Sequence, residues 1–248
     1  FNARDMREEW RPRWEPEQKG SSDFRKQWRE AALDAGMSPK PRRRWTPPTY
    51  EEFLSAVHSV HGANGVDGWA ASELKQLADN APEIMKELHE LLIRTTRQAT
   101  PQQLVAEQLW WRVVGIPKRG ASDSRPIAVG QTIVRAWSKA LAPWLPGVPE
   151  GHWSGSGVVA AAVDWLASPG LAGAEVDLAK AFDTTPHEIA SEALAFGGTP
   201  EVVEAWILAT WRAPRSCHVS GDLAEPLFPT AGIPAGDPLC PRVLGLVL

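Results

Sequence analysis

Apolar positions recur every three to four residues over much of the chain, and the segments between them are rich in Gly and Pro. In TYEEFLSAVHSV the residues Phe53, Leu54, Val57 and Val60 share one helical face, and acidic residues sit in the first turn. ASELKQLADN and PEIMKELHELLIRTTRQA continue as amphipathic helices, the second opened by Pro82 at a tolerated first-turn position. QTIVRAWSKALAPWL predicts a helix ended by Pro143 or Pro146, and GVVAAAVDWLA, HEIASEALAF and PEVVEAWILATW predict three more. Gly197 and Gly198 close the HEIASEALAF helix. LWWRVVGIPK is β-branched and aromatic and predicts a strand, SRPIAVG is held extended by its Pro, and SCHVSG predicts a further strand. AGAEVDLAKAFD has the form of a short buried strand leaving into a loop, and GIPAGDPLCPRVLGLVL is a Gly/Pro loop leading into a helix. Helices outnumber strands without a repeat, so the predicted class is α+β, with α/β as the alternative.

The first 48 residues differ. They are polar and punctuated by Pro and Trp, with one predicted helix over 23–35 stopped by Gly36, and Arg42, Arg43 and Arg44 sit between prolines as a basic linker. The segment is expected to be partly disordered. The 248 residues are 43% hydrophobic and 23% charged, an ordinary globular composition with ample material for a core. Thirteen Trp against one Tyr put large volumes inside, and each buried indole N–H then needs an acceptor. Two cysteines, Cys217 and Cys240, exclude a disulfide framework and a CxxC metal motif. The longest apolar stretch contains Asp164 and Pro169, so no membrane span is predicted. The chain opens without a signal peptide, and secretion is not expected.

The net charge of −4 hides an asymmetry: residues 1–45 hold 12 basic against 8 acidic side chains, while the remainder holds 14 against 22. Within that acidic remainder, Arg112, Lys118, Arg119, Arg125, Arg135 and Lys139 stand against Asp123 alone. Such a patch suits a phosphate-facing surface, or a solvated face balanced elsewhere.

The strongest chemical signal is Asp177-Leu178-Ala179-Lys180-Ala181-Phe182-Asp183. A carboxylate at the end of a buried strand is costly unless paired or metal-bound, and at a strand's C-terminal edge it can hold Mg²⁺ against phosphate oxygens. Taken alone, the segment reads equally as a turn or helix-cap Asp. Together with a following Pro186-His187 and helix, it resembles motif A of reverse transcriptases of the non-LTR retrotransposon and group II intron type. Three other segments resemble that family's blocks in order. They are the loop Gly62-Ala63-Asn64-Gly65-Val66-Asp67-Gly68-Trp69, the pair Pro117-Lys118 with Arg125-Pro126-Ile127, and Gly232-Ile233-Pro234-Ala235-Gly236-Asp237-Pro238-Leu239-Cys240-Pro241. The likeness covers about residues 50–248.

The resemblance implies a right-hand polymerase. Residues 1–48 would be a basic extension, 49–109 a helical N-terminal extension, 110–170 fingers, and 171–248 a partial palm. It also implies RNA-directed DNA synthesis with two Mg²⁺ ions, an RNA template, a DNA primer and deoxynucleoside triphosphates. Asp177 would bridge the metals and the Leu178 carbonyl would ligate one. Phe182 would reject a 2′-OH, Lys118 and Arg125 would meet the triphosphate, and Ala235 and Gly236 would approach the nucleotide. Two departures stand out. Ala235 takes the place of a usual Gln and Cys240 that of a common Ser. The family's Asp-Asp pair of motif C has no counterpart, because the sequence contains no Asp-Asp dipeptide. The expectation is a fragment with a polymerase's identity that is inactive by itself. The alternatives are a non-enzymatic RNA-binding remnant and a sound polymerase continued downstream. His58 and His61 are expected at the surface, His187 packed at a helix start, and Asp183 as a cap rather than a ligand.

Overall fold

A computed structural model of the chain describes residues 2–16, 21–98, 110–117, 124–147 and 181–247. It is an α+β structure. Five helices come first: α1 (Ala3–Trp14), α2 (Ser21–Asp34), α3 (Tyr50–Ser59), α4 (Ala71–Asn80) and α5 (Pro82–Gln98). Strands β1 (Trp111–Pro117) and β2 (Ser124–Val129) follow, then α6 (Thr132–Leu141), whose end tightens into a 3-10 turn at Ala142–Trp144. The short α7 (Ala181–Thr184) leads to α8 (His187–Phe196) and α9 (Glu201–Trp211). Strands β3 (Arg215–Val219) and β4 (Asp222–Leu223) and helix α10 (Cys240–Val247) complete the fold.

Local chemistry accounts for the helix starts. Thr49 caps α3 in a reciprocal box, its hydroxyl accepting from the Glu52 N–H at 3.2 Å while the Glu52 carboxylate accepts from the Thr49 N–H at 2.7 Å. Asn2 and Asp5 do the same for α1. At α4, Ala70 has no side chain to offer, so only the Glu73 carboxylate closes the turn.

The sheet order is β2-β1-β3-β4. The two-stranded pair expected over 110–130 forms: β1 and β2 run antiparallel, with Arg112 opposite Val129 and Ile116 opposite Arg125. β3 lies on the other side of β1 and runs parallel to it, with Trp111 opposite Arg215. The partner expected for β3, a strand ending at Asp177, lies outside the described residues, as does the helix expected from GVVAAAVDWLA. Alternation gives the sheet two unlike faces. Trp111, Val113, Ala128 and Cys217 are buried on one, whereas Arg112, Ile116, Arg125 and His218 on the other are exposed or half-exposed.

One hydrophobic core takes residues from every described stretch, including Met6 and Trp10 of α1, Phe53 of α3, Trp137 of α6 and Trp206 of α9. Three indole N–H groups that reach inward find acceptors: Trp111 donates to the Thr210 carbonyl at 2.7 Å, Trp137 to the Thr96 hydroxyl at 2.9 Å, and Trp28 to the Val247 carbonyl at 2.8 Å, whereas those of Trp14 and Trp206 are buried without one among the described residues.

The described residues of the N-terminal 48 pack against the rest of the fold. In α1, Met6, Trp10 and Trp14 stand at four-residue spacing and are buried, and the helix continues through Pro12. The arginine run is not a loose linker. Arg42 pairs with the Glu204 carboxylate at 2.7 Å and donates to the Thr199 carbonyl, while Arg43 donates to the carbonyls of Pro143 and Trp144. Glu204 is buried and also accepts from the Ser191 hydroxyl at 2.5 Å, so Arg42 compensates a charge that would otherwise be costly inside. The strap over residues 37–48 is thereby tied to α8 and α9.

Candidate functional site

The site is assembled around the loop at residues 231–237. Its start pairs with the chain just after α7. The Gly232 N–H donates to the Thr185 carbonyl at 2.8 Å, the Ile233 N–H donates to the Phe182 carbonyl at 2.6 Å, and Pro186 bridges Ala231. Gly232 has φ +84°, a left-handed conformation that favours glycine, and a Cβ there would stand 2.7 Å from the Asp183 carbonyl oxygen and 2.9 Å from Trp14 Cδ1. At the other end of the loop, a Cβ on Gly236 would stand 1.8 Å from the Ala128 carbonyl oxygen. The backbone therefore approaches β2 as closely as only glycine permits. Cys240 closes the loop by donating its thiol to the Pro234 carbonyl at 2.7 Å.

Beneath the loop lies a buried polar cluster. Arg215, 1% exposed, donates to the carbonyls of Gly232 and Trp211 and lies over the Trp14 ring with its guanidinium carbon 4.7 Å from the centroid. Burial lowers its pKa to about 10, so it remains a cation at neutral pH. His187 meets the same Gly232 carbonyl through Nε2 at 3.0 Å; a carbonyl only accepts, so Nε2 carries the proton. Burial, reinforced by the charges of Arg215 and Arg212, lowers the His187 pKa to about 3 despite that hydrogen bond, and the ring is neutral. Asp237 accepts from the Trp211 indole N–H at 2.7 Å and from the Leu239 N–H at 2.9 Å, and its burial raises its pKa to about 6.

The loop at residues 61–69 joins the assembly from the far side of β2. Arg135 of α6 donates to the carbonyls of His61 and Ala63, each at 2.7 Å, and the Thr132 hydroxyl donates to the Trp69 carbonyl at 2.6 Å. A Cβ on Gly65 would stand 2.7 Å from Gln131 Cα. Lys139 donates to the Ser59 carbonyl at 2.7 Å. Arg135 is thus an internal fastener of this loop and Lys139 ties the end of α3, so two of the six cations in the 112–139 patch are committed to carbonyls of the protein itself. Of the others, Arg125 is exposed on β2 and Arg112 half-exposed on β1, on the same sheet face.

Among the residues singled out by sequence, the structure brings together Phe182, Gly236 and the strand that carries Arg125. Phe182 is partly buried against the core, and Ala235 is exposed at the loop's tip. Lys118, Asp177 and Leu178 lie outside the described residues. His187 packs at the start of α8 as expected, and His58 is at the surface, 3.5 Å from the Asp79 carboxylate. Asp183 lies within α7 rather than before it. Among the described residues, no group of three or more His, Cys, Asp or Glu could hold a metal ion, so the described part does not by itself form a cation site. No helix among them is long and apolar enough to cross a membrane. Arg215 and Trp14 escaped sequence reasoning. Arg215 flanks a predicted strand and signals nothing locally, and Trp14 lies in a stretch dominated by charges and prolines. No protein-family model and no curated protein matches this chain.

Proposed function

We propose that the chain is part of an RNA-directed DNA polymerase of the reverse-transcriptase type, supplying the nucleotide-facing fingers strands and the first half of a palm. One observation carries the reading. Three segments far apart in sequence meet in one continuous assembly: 62–69 and 232–241 both contact residues 128–135, just after Arg125-Pro126-Ile127, and Gly232 and Ile233 pair with Thr185 and Phe182, at and after the described end of the 177–183 segment. Independent surface motifs have no reason to converge in this way. The half-open sheet face bearing Arg112 and Arg125 suits phosphate, and arginine adds a planar surface on which a base can stack. In this reading Asp177 and the Leu178 carbonyl would hold Mg²⁺, Lys118 and Arg125 would meet the triphosphate, and Phe182 and Gly236 would shape the sugar and base pocket. The metal would supply charge stabilisation at the transferring phosphoryl group.

A second reading, a non-enzymatic RNA-binding relative, is favoured by Ala235 in place of the usual Gln. One set of assays tests both, and only primer extension would decide between them. Anisotropy with a labelled RNA–DNA template–primer over a salt series is expected to show binding that weakens steeply with salt. Arg125→Ala is expected to raise Kd and to lower the salt slope by about one phosphate. Primer extension by this chain alone is expected to be absent with Mg²⁺ or Mn²⁺. Extension would establish an active enzyme and overturn the inactivity expected of the chain alone. Salt-insensitive binding, or none, would remove both readings.

A further inference from the structure

We infer that α1 belongs to the candidate site: Trp14, together with Arg215 and His187 behind it, positions the Gly232 carbonyl and through it the whole 231–237 loop. The inference rests on the polymerase reading for what the loop does, but not for how it is held.

The last turn of α1 is fastened to the segment that delivers the loop. The Trp14 carbonyl accepts from the N–H groups of Thr230 at 2.7 Å and Ala231 at 3.2 Å. The Glu15 carboxylate accepts from the Phe228 N–H at 2.6 Å, and Arg7 Nε donates to the Glu225 carbonyl at 2.9 Å. These ties fix residues 225–231 along one side of α1. The Trp14 ring then provides the surface on which the Arg215 guanidinium lies, and Arg215 and His187 converge on a single carbonyl oxygen.

The arrangement is an expensive way to fill space. Burying a full cation costs several kcal/mol, and apolar residues of similar volume would serve stability as well or better. A guanidinium clamped between an indole face and two carbonyls does something that apolar filling cannot: it fixes the direction of the Gly232 C=O. That direction sets where the next residues go, because the Ile233 N–H must reach the Phe182 carbonyl and Gly236 must reach Ala128. Ala235, exposed at the tip, brings no polar side chain to anchor the loop from outside. Its geometry is set from behind, by α1. Trp14, Arg215 and His187 are therefore positioning residues, and none of them needs to touch a ligand.

The test uses the full chain, hydrogen–deuterium exchange and the template–primer anisotropy assay. In Trp14→Ala the amides of Gly232 and Ile233 are expected to exchange about tenfold faster or more, while the amides of β1 and β2 stay as protected as before. Template–primer Kd is expected to rise about fivefold with no change in salt slope, because no phosphate contact is removed. Trp14→Phe, which keeps an aromatic face under Arg215, and Arg215→Lys, which keeps a donor, are expected to recover part of both effects, whereas Arg215→Met is not. If Trp14→Ala does not fold, Glu15→Ala cuts the tie to Phe228, together with a half-exposed ion pair to Arg11 on the same helix, and is expected to give the same pattern more weakly. Unchanged exchange at 232–233, or exchange rising equally throughout the chain, would overturn the inference. So would a loosened loop with unaltered Kd. Failure of the wild-type chain to bind template–primer would overturn the polymerase reading, while the exchange data would still decide whether α1 holds the loop.

Discussion

Two glycine-rich loops, 61–69 and 231–237, are similar in composition and are held by different means. The first is fastened from one side. Arg135 reaches out of α6 to two carbonyls of residues that are themselves exposed, and Asn64 donates to the Gly68 carbonyl at 2.9 Å. Water can replace most of those bonds. The second is fastened from within, by a backbone pairing, a buried cation, a buried neutral histidine and a buried carboxylate. An arginine organises both loops. Where its acceptors belong to exposed residues it is a modest fastener; where everything around it is dry, each hydrogen bond is worth more and each missing one costs more.

This contrast can be broken most sharply at the glycines. Gly236→Ala forces a Cβ into the Ala128 carbonyl, and neither partner is a flexible side chain. A loss of about 3 kcal/mol or more is expected in urea unfolding, against about 1–3 kcal/mol for Gly65→Ala, whose nearest backbone atoms are farther away. Equal losses would mean that the two loops are equally rigid.

Next in size is a pH effect at the inner loop. The Asp237 pKa is raised from 3.8 to about 6 on folding, so its contribution is fully present below pH 4 and is lost as pH rises through 6, a change of roughly 3 kcal/mol. The His187 pKa is lowered from 6.5 to about 3, so its contribution is fully present above pH 6.5 and is lost as pH falls toward 3. Between pH 4 and 6 the two slopes oppose each other. His187→Gln, which can still donate to the Gly232 carbonyl, is expected to leave a stability that falls as pH rises over that window. Asp237→Asn is expected to leave one that rises. Denaturation midpoints from pH 4 to 7 decide it, and parallel profiles for the two variants would refute the opposition. The smallest effect is expected at the outer loop: Arg135→Met should cost about 1–2 kcal/mol, because the His61 and Ala63 carbonyls can turn to solvent. A cost as large as that of Gly236→Ala would show that the outer loop is not held from one side only.

Much of this architecture was legible residue by residue. Phe53, Val57 and Val60 announced α3, the run LWWRVVGIPK announced β1, and Gly197-Gly198 marked the end of α8. These are local signals, in which a period or a turn residue decides the outcome within a few positions. The helix α1 was not legible, because Pro12 and the surrounding charges obscure the Met6-Trp10-Trp14 spacing. The roles of Arg215 and Arg135 were hidden for a related reason. What makes an arginine structural is the set of carbonyls around it, and those come from residues 17 and more than 70 positions away. Within the site, the glycines of 232–236 were recognisable by type, since a close approach excludes every other residue. The polar cluster beneath them depends on tertiary neighbours that no local pattern encodes.

The parallel pairing of β1 with β3 has a consequence for the order in which the protein is made. Trp111 is paired with Arg215, so roughly a hundred residues must emerge from the ribosome between one strand and its neighbour. The β1–β2 hairpin closes over a handful of residues and can form early, together with the nearby packing of α3 on α6. For the whole interval, one edge of β1 carries unpaired N–H and C=O groups beside the indole of Trp111. The sheet is therefore completed only when β3 arrives. Because β3 begins at Arg215, the same event that seals the open edge also brings in the cation that seats against Trp14, a residue made roughly two hundred positions earlier. Folding of α1 and of β3 is joined in that step.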